Sequence, residues 1–284
     1  MSNCGASNAI WRLAMGNAGG CGATDHPNYA DNDKNMPPQD QQLWTCGVNG
    51  DVALDLRTAP DARFCSSWST EGSCQFPMNK LMKLQATLDS NGCQGLWAAP
   101  LWISPQNWQS PQHASGEIDI FERGCSRDDG YLTSFGETDP YIYHDSWKQK
   151  GKGGSLDSTS FTAYVTFSPG AYDNPGIIDQ VAIYRCPKGS NPIVDGDISQ
   201  CDAPTVYNEY YKNTKQNTAS GNQLMTLVSD VWNVPNTGCT KSDAPEKSNC
   251  NFKVSDIKMQ FIEDWPSPFQ GSNPQCEAIW HKSN

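Results

Sequence analysis

Between Gly116 and Gly124 the chain reads Glu117-Ile118-Asp119-Ile120-Phe121-Glu122-Arg123, so three carboxylates fall within six positions among Ile and Phe. In an extended strand, side chains alternate between faces with a period of two. Glu117 and Asp119 then share one face, while Ile118 and Ile120 point into a core on the other. Glu122 lies five positions from Glu117, which puts it on the core face of a regular strand. An unpaired carboxylate buried there is very costly. One inserted residue, a β-bulge near Phe121, returns Glu122 to the face of the other two. Like charges crowded on one face repel. That cost is usually tolerated for chemistry.

The rest of the chain supplies further strands. Val52, Leu54 and Leu56 alternate, as do Met82, Leu84, Ala86 and Leu88, and Leu96 to Ile103 forms an apolar run containing Trp. Further candidates are 161–167, 177–184, 224–231 and 253–261. Turn signals separate them: Asn49-Gly50, Asp129-Gly130, Pro169-Gly170, Asn174-Pro175-Gly176 and Asn236 to Gly238. Only 78–84 competes as a helix, and it is short. Charged residues make up 18% of the chain, while Gly, Pro and aromatics are plentiful, a balance that suits a loop-rich β protein. We read an all-β sandwich or jelly roll. With no linker, repeat or low-complexity tract, we read 284 residues as one domain, 1–284, in which 1–44 is a disulfide-tied N-terminal segment.

Net charge is −11 and the isoelectric point about 4.7, with no run of Lys or Arg. Nucleic acid and anionic membrane surfaces are thereby disfavoured as partners. A neutral glycan fits, although acidity alone does not select it. The twelve cysteines are spread along the chain and only four His are present, which argues against zinc and for up to six disulfides. Cys65–Cys74 and Cys239–Cys250 are spaced closely enough to staple single loops. This usage predicts an oxidising compartment and a secreted protein. We read neither a signal peptide nor a transmembrane segment, as expected of a mature form.

Two carboxyls flanking a glycosidic bond are the minimum equipment for its hydrolysis. In the retaining reaction one attacks the anomeric carbon. The other protonates the leaving oxygen and later deprotonates water, and the two carboxyl groups stand roughly 5–5.5 Å apart. Glu117 and Glu122 meet that requirement if the bulge sets both on one face. Asp119 between them would hydrogen-bond the nucleophile and help keep the acid protonated. Trp97 reads equally as core or cleft wall, and Trp102 as cleft wall, where a flat ring meets the C–H face of a sugar.

Other features are weaker. Asp31-Asn32-Asp33-Lys34-Asn35 has the start of a calcium loop but carries Met36 and Gln42 where such a loop needs Gly and Glu, so it reads as a solvated turn. His113 and His144 read as exposed loop residues. Trp108, Trp147, Trp232 and Trp265 are further subsite candidates. No G-x-S-x-G elbow supports a Ser-His-Asp triad.

The run G-E-I-D-I-F-E resembles the active-site strand of family-sixteen glycoside hydrolases, in the bulged form of the laminarinases (endo-β-1,3-glucanases). The preceding Gly95-Leu96-Trp97-Ala98-Ala99-Pro100-Leu101-Trp102 resembles that family's G-x-W-P-A-x-W stretch, and weaker similarity extends over 45–262. The resemblance implies a concanavalin-like jelly-roll sandwich of two antiparallel sheets with a concave substrate cleft. It also implies Glu117 as nucleophile, Asp119 as its assistant and Glu122 as acid/base. No cofactor is required, and relatives carry a structural calcium on the convex face. The implied activity is retaining, endo-acting hydrolysis of β-1,3- or β-1,3-1,4-glucan by a monomer. The chain departs from the pattern at Ser134-Phe135, where relatives carry a His nearby, at Phe161-Thr162-Ala163-Tyr164, where they tend to read F-H-T-Y, and at Ser168, where they carry Trp. Such positions shape subsites and leave the carboxylate chemistry untouched.

Two alternatives belong beside this reading. The first is the same frame acting on galactan or an agar-like glycan, or transferring sugars to acceptors other than water. The second is a non-catalytic, lectin-like glycan-binding protein. Loss of a carboxylate would mark such a binder, and this chain keeps all three.

Overall fold

A computed structural model describes residues 10–13, 44–46, 53–57, 65–70, 72–77, 80–90, 97–105, 118–123, 130–134, 160–169, 178–208, 224–232, 251–262, 269–270 and 273–282. Its strands are β1 (Arg12–Leu13), β2 (Trp44–Cys46), β3 (Leu54–Arg57), β4 (Cys65–Ser69), β5 (Phe76–Pro77), β6 (Leu81–Ser90) and β7 (Trp97–Pro105). They continue with β8 (Ile118–Arg123), β9 (Gly130–Ser134), β10 (Phe161–Pro169), β11 (Ile178–Pro187), β12 (Thr205–Asn208), β13 (Leu224–Trp232) and β14 (Asn251–Phe261).

Among the described residues these form two antiparallel sheets of seven strands each. The front sheet runs β1-β4-β13-β7-β8-β9, with β5 also paired to β13, and the back sheet runs β12-β11-β10-β6-β14-β3-β2. The period-two pattern explains why they pack. Leu101 and Ile103 of β7, Ile118 and Ile120 of β8, and Met225 and Leu227 of β13 are buried towards the back sheet. Leu84, Ala86 and Leu88 of β6, Val165 and Phe167 of β10, and Val181 and Ile183 of β11 meet them in one continuous core. Each large side chain so buried contributes about 1.5–3 kcal/mol. The jelly-roll sandwich expected from the sequence is the fold found. Residues 81–84 lie in β6, so the helical alternative over 78–84 loses to the alternation of Leu84, Ala86 and Leu88.

Polar residues of β6 and β10 are also buried, because the connection from β11 to β12 covers the outer face of the back sheet. Gln85 is 1% exposed, and its amide is satisfied there. Its Nε2 donates to Asn191 Oδ1 at 3.0 Å, and its Oε1 accepts from the Ile193 backbone N–H at 3.1 Å. Lys258 Nζ donates to the same Asn191 oxygen at 2.9 Å. A short helix, α1 (Pro192–Asp195), begins on a proline and ends on Gly196 at φ 68°, a left-handed cap suited to glycine. Cys186 and Cys201 close this cover with a disulfide, packed on Tyr164 and Ile193.

The second described disulfide joins Cys74 to Cys276, 202 residues apart. This corrects the expected Cys65–Cys74 staple. Spacing along the chain favoured the near neighbour, but tertiary packing brings Cys74 to a C-terminal 3-10 helix (Pro274–Ile279) instead. Around the bridge, Gln75 and Gln270 exchange backbone hydrogen bonds and His281 N–H donates to Met259 O. Phe261 packs T-shaped on Phe269 at 5.5 Å and on Phe76 at 6.2 Å. The C-terminal segment thus ties the front sheet's β4–β5 corner to β14 of the back sheet. Ile10 and Trp11 are buried in the main core, and Arg12–Leu13 pair with β4, so residues 10–13 enter the fold as packed chain.

Cys239–Cys250 lies outside the described residues, as do Asn49-Gly50, Asn174 to Gly176 and Asn236 to Gly238. No cysteine with a described side chain is free.

Candidate active site

The acidic segment forms β8, between β7 and β9 in the front sheet. Against β9, Asp119 pairs with Thr133 and Glu122 with Tyr131, so three steps along β8 match two along β9. Against β7, Asp119 pairs with Trp102 and Phe121 with Leu101, which skips Ile120. β8 therefore carries one extra residue at Ile120-Phe121 relative to both neighbours. Burial gives the same answer independently: Ile118, Ile120 and Phe121 are all buried, the last two being consecutive. Two successive inward residues are the signature of a bulge. The bulge required by the carboxylate spacing is present, and the strand's alternation changes phase between positions 119 and 122.

A second irregularity faces the first. Ala98 pairs with Arg123 and Leu101 with Phe121, so β7 holds an extra residue across Ala99-Pro100. β13 registers the same step, because Val228 pairs with Trp102 while Asp230 pairs with Ala99. The two bulges cancel, and β7 and β8 resume the same register beyond them. Pro100 sits in a central strand, where its missing N–H is tolerated at a bulge. This feature was not anticipated, although a proline inside an apolar strand run was its available signal.

Glu117 lies outside the described residues, immediately before β8. Asp119 and Glu122 are placed in backbone register, as is Trp97, which pairs with Trp232; the side chains of all four lie outside the described set. Trp102 is described more fully. It lies opposite position 119 on one side and Val228 on the other, and directly opposed residues share a face. Trp102 and Val228 form an apolar pair separate from the main core. Trp102 is on the front sheet's outer face, as a cleft residue should be. At 3% exposure, however, its ring is packed and offers no open platform.

Phe121 is anchored across the sandwich. Its ring meets Phe161 of β10 at 5.3 Å in a T-shaped contact. The Arg185 guanidinium of β11 lies over the Phe161 ring, 5.0 Å from its centre. Burial pushes Arg185 below its ordinary range, opposed by the charge of Asp202.

His113, His144, Trp108, Trp147, Trp265 and Asp31 to Asn35 lie outside the described residues. No group of three or more His, Cys, Asp or Glu among the described residues is arranged to hold a metal ion. No helix among the described residues is long and apolar enough to cross a membrane.

Two packed antiparallel sheets in this order, with a bulged acidic strand in one of them, define a jelly-roll sandwich. Among solved structures, the chain is similar to the laminarinase catalytic domain of Thermotoga maritima MSB8. That match has 15% identity, 93% of this chain and 95% of that one covered, and a TM-score of 0.53. It is also similar to a structure described with the endo-acting O-glycanases that initiate mucin breakdown in human gut microbiota, at 12% identity, 88% and 90% coverage and a TM-score of 0.54. No protein-family model and no curated protein matches the chain.

Proposed function

We propose that the chain is a secreted, retaining endo-glycosidase that cleaves β-1,3- or mixed β-1,3-1,4-glucan and works as a monomer. The observation carrying this reading is the agreement between the E-x-D-x-x-E spacing and the one-residue bulge at Ile120-Phe121. A regular strand would bring position 122 to the core, where a carboxylate has no use. The bulge gives it the phase of position 119. Burying Ile120 and Phe121 together stabilises that irregular backbone.

In the proposed reaction Glu117 attacks the anomeric carbon as Glu122 protonates the departing glycosidic oxygen, leaving a glycosyl-enzyme. Glu122 then deprotonates the incoming water, which releases the sugar with its configuration retained. Asp119 hydrogen-bonds Glu117 and, as a fixed negative charge, keeps Glu122 protonated for the first step. The three carboxyl groups come from the protein and the remaining reactant is water, so the proposed reaction calls for no cofactor. The two disulfides among the described residues fit an oxidising, extracellular setting.

A second reading concerns the substrate. The O-glycanase neighbour shares the sandwich at least as well as the laminarinase, which favours testing galactan-like and mucin-type glycans beside glucans. Incubation with laminarin, lichenan, agarose, galactan, xyloglucan and mucin O-glycans, with product analysis, separates these. Release of oligosaccharides from laminarin or lichenan, lost in Glu117→Gln, is expected. No product from any glycan would point to the lectin-like alternative.

A further inference from the structure

We propose that Phe161 is a positioning residue for the acid/base carboxylate, acting through Phe121 from the opposite sheet. The inference rests on the assignment of Glu122 made above. Phe161 opens β10 in the back sheet, whereas Phe121 is the second residue of the bulge in the front sheet. Their T-shaped contact at 5.3 Å crosses the sandwich, and the rings are 7% and 6% exposed.

The bulge has a competing arrangement. If β8 kept strict alternation, Phe121 would turn to the outer face and position 122 would turn inward. What opposes this is the burial of Phe121, and Phe161 provides an aromatic wall for it. Phe161 is itself held: Arg185 covers its face at 5.0 Å, and one buried nitrogen of that guanidinium has no hydrogen-bond partner among the described residues. The charge of Asp202 and the ring's negative face together compensate this cation, which helps to fix both groups. Arg185, Phe161 and Phe121 form a column that ends one peptide from Glu122. Removing the Phe161 ring leaves space into which Phe121 relaxes, and the adjoining peptide follows. Displacement of a catalytic group by about 1 Å can lower a rate about a hundredfold.

The role is separable from mere stability because it falls on acid assistance. The test compares kcat/KM for phenyl and dinitrophenyl glycosides of the oligosaccharide that the wild type cleaves. The dinitrophenyl group leaves without protonation, so only the phenyl substrate depends on a well-placed acid. Phe161→Leu should lower kcat/KM about tenfold for the phenyl glycoside and less than about threefold for the dinitrophenyl one. Phe161→Tyr, which keeps the ring, should stay near wild type. Equal losses on both substrates, or none on either, would overturn the proposal. Should Phe161→Leu not fold, Arg185→Gln, which uncovers Phe161 without emptying the core, carries the same readout. Glu122→Gln run in parallel separates the two levels. If it shows the leaving-group pattern while the Phe161 and Arg185 variants do not, the positioning role alone fails. If it shows no such pattern, the assignment of Glu122 fails with it.

Discussion

Leu101 of β7 lies directly opposite Phe121 of β8 at the one place where both strands carry an extra residue. Each strand is irregular against its other neighbour, yet the pair is in step on both sides of this point. The irregularity is thus confined to where the chemistry is proposed, and the front sheet continues undisturbed. Removing either extra residue would break the cancellation and propagate a slip along the strand.

The carboxylates are expected to differ in what their loss does. Glu117→Gln should abolish turnover with an unchanged melting temperature. Glu122→Gln should lose about 10²–10⁴-fold on glucan and far less on an activated aryl glycoside. Asp119→Asn should fall between wild type and Glu117→Gln. Steady-state kinetics on both substrates decide this, and full activity in Glu117→Gln would sink the assignment.

Of the two described disulfides, the long-range one should contribute more to stability. The chain-entropy argument gives about 5 kcal/mol for closing a loop as long as that of Cys74–Cys276 and about 3 kcal/mol for the 15-residue separation of Cys186–Cys201. Paired alanine substitutions at Cys74 and Cys276 should lower Tm by about 10 °C or more. The same change at Cys186 and Cys201 should lower it less. Calorimetry showing the reverse order would contradict the argument.

Asp256 is a non-glycine residue at φ 50°, exposed, at a register shift of β14 against β6. The left-handed region costs an L-residue about 1–2 kcal/mol, less for Asp and Asn. Asp256→Gly should be neutral to stabilising by up to about 1 kcal/mol, and Asp256→Val should destabilise by about 1–2 kcal/mol. Urea titration of both variants provides the measure.

Asp89 supplies a pH dependence. Burial raises its carboxyl pKa, but hydrogen bonds from Lys188 and Ser160 and the charges of Lys188 and Lys253 outweigh this and hold it below the usual value. A carboxyl lowered on folding adds stability above its unfolded pKa, near 4, and loses it as pH falls through the folded value. Asp89 and Lys188 are 34% and 52% exposed, so solvent screening limits the contribution to under about 1 kcal/mol. Asp89→Asn should narrow the stability gap between pH 7 and pH 3. An identical gap in wild type and variant would show the interaction to be silent.

The long strands were legible because Leu84, Ala86 and Leu88, or Phe161, Ala163 and Val165, state a period of two. The bulge of β8 was legible from an unusual source, the cost of burying Glu122. Its counterpart at Pro100 went unread because Leu96 to Ile103 looks like any apolar run. Gln85, Thr87 and Thr162 are polar residues on the outer face of the back sheet that carry no sequence signal of burial. They are buried because residues 188–204 fold over them, and no local pattern encodes that. Cys74 was misassigned for the same reason: its partner is adjacent only once the two sheets have packed.

That partner also sets an order of events. Cys276 emerges from the ribosome 202 residues after Cys74. Until then this described tie between the β4–β5 corner and the C-terminal 3-10 helix is open, and Cys74 lacks the partner it has in the folded protein. The bridge therefore acts as a late clasp, closed only after both the β4–β5 corner and the strand β14 it is tied to have been made and packed.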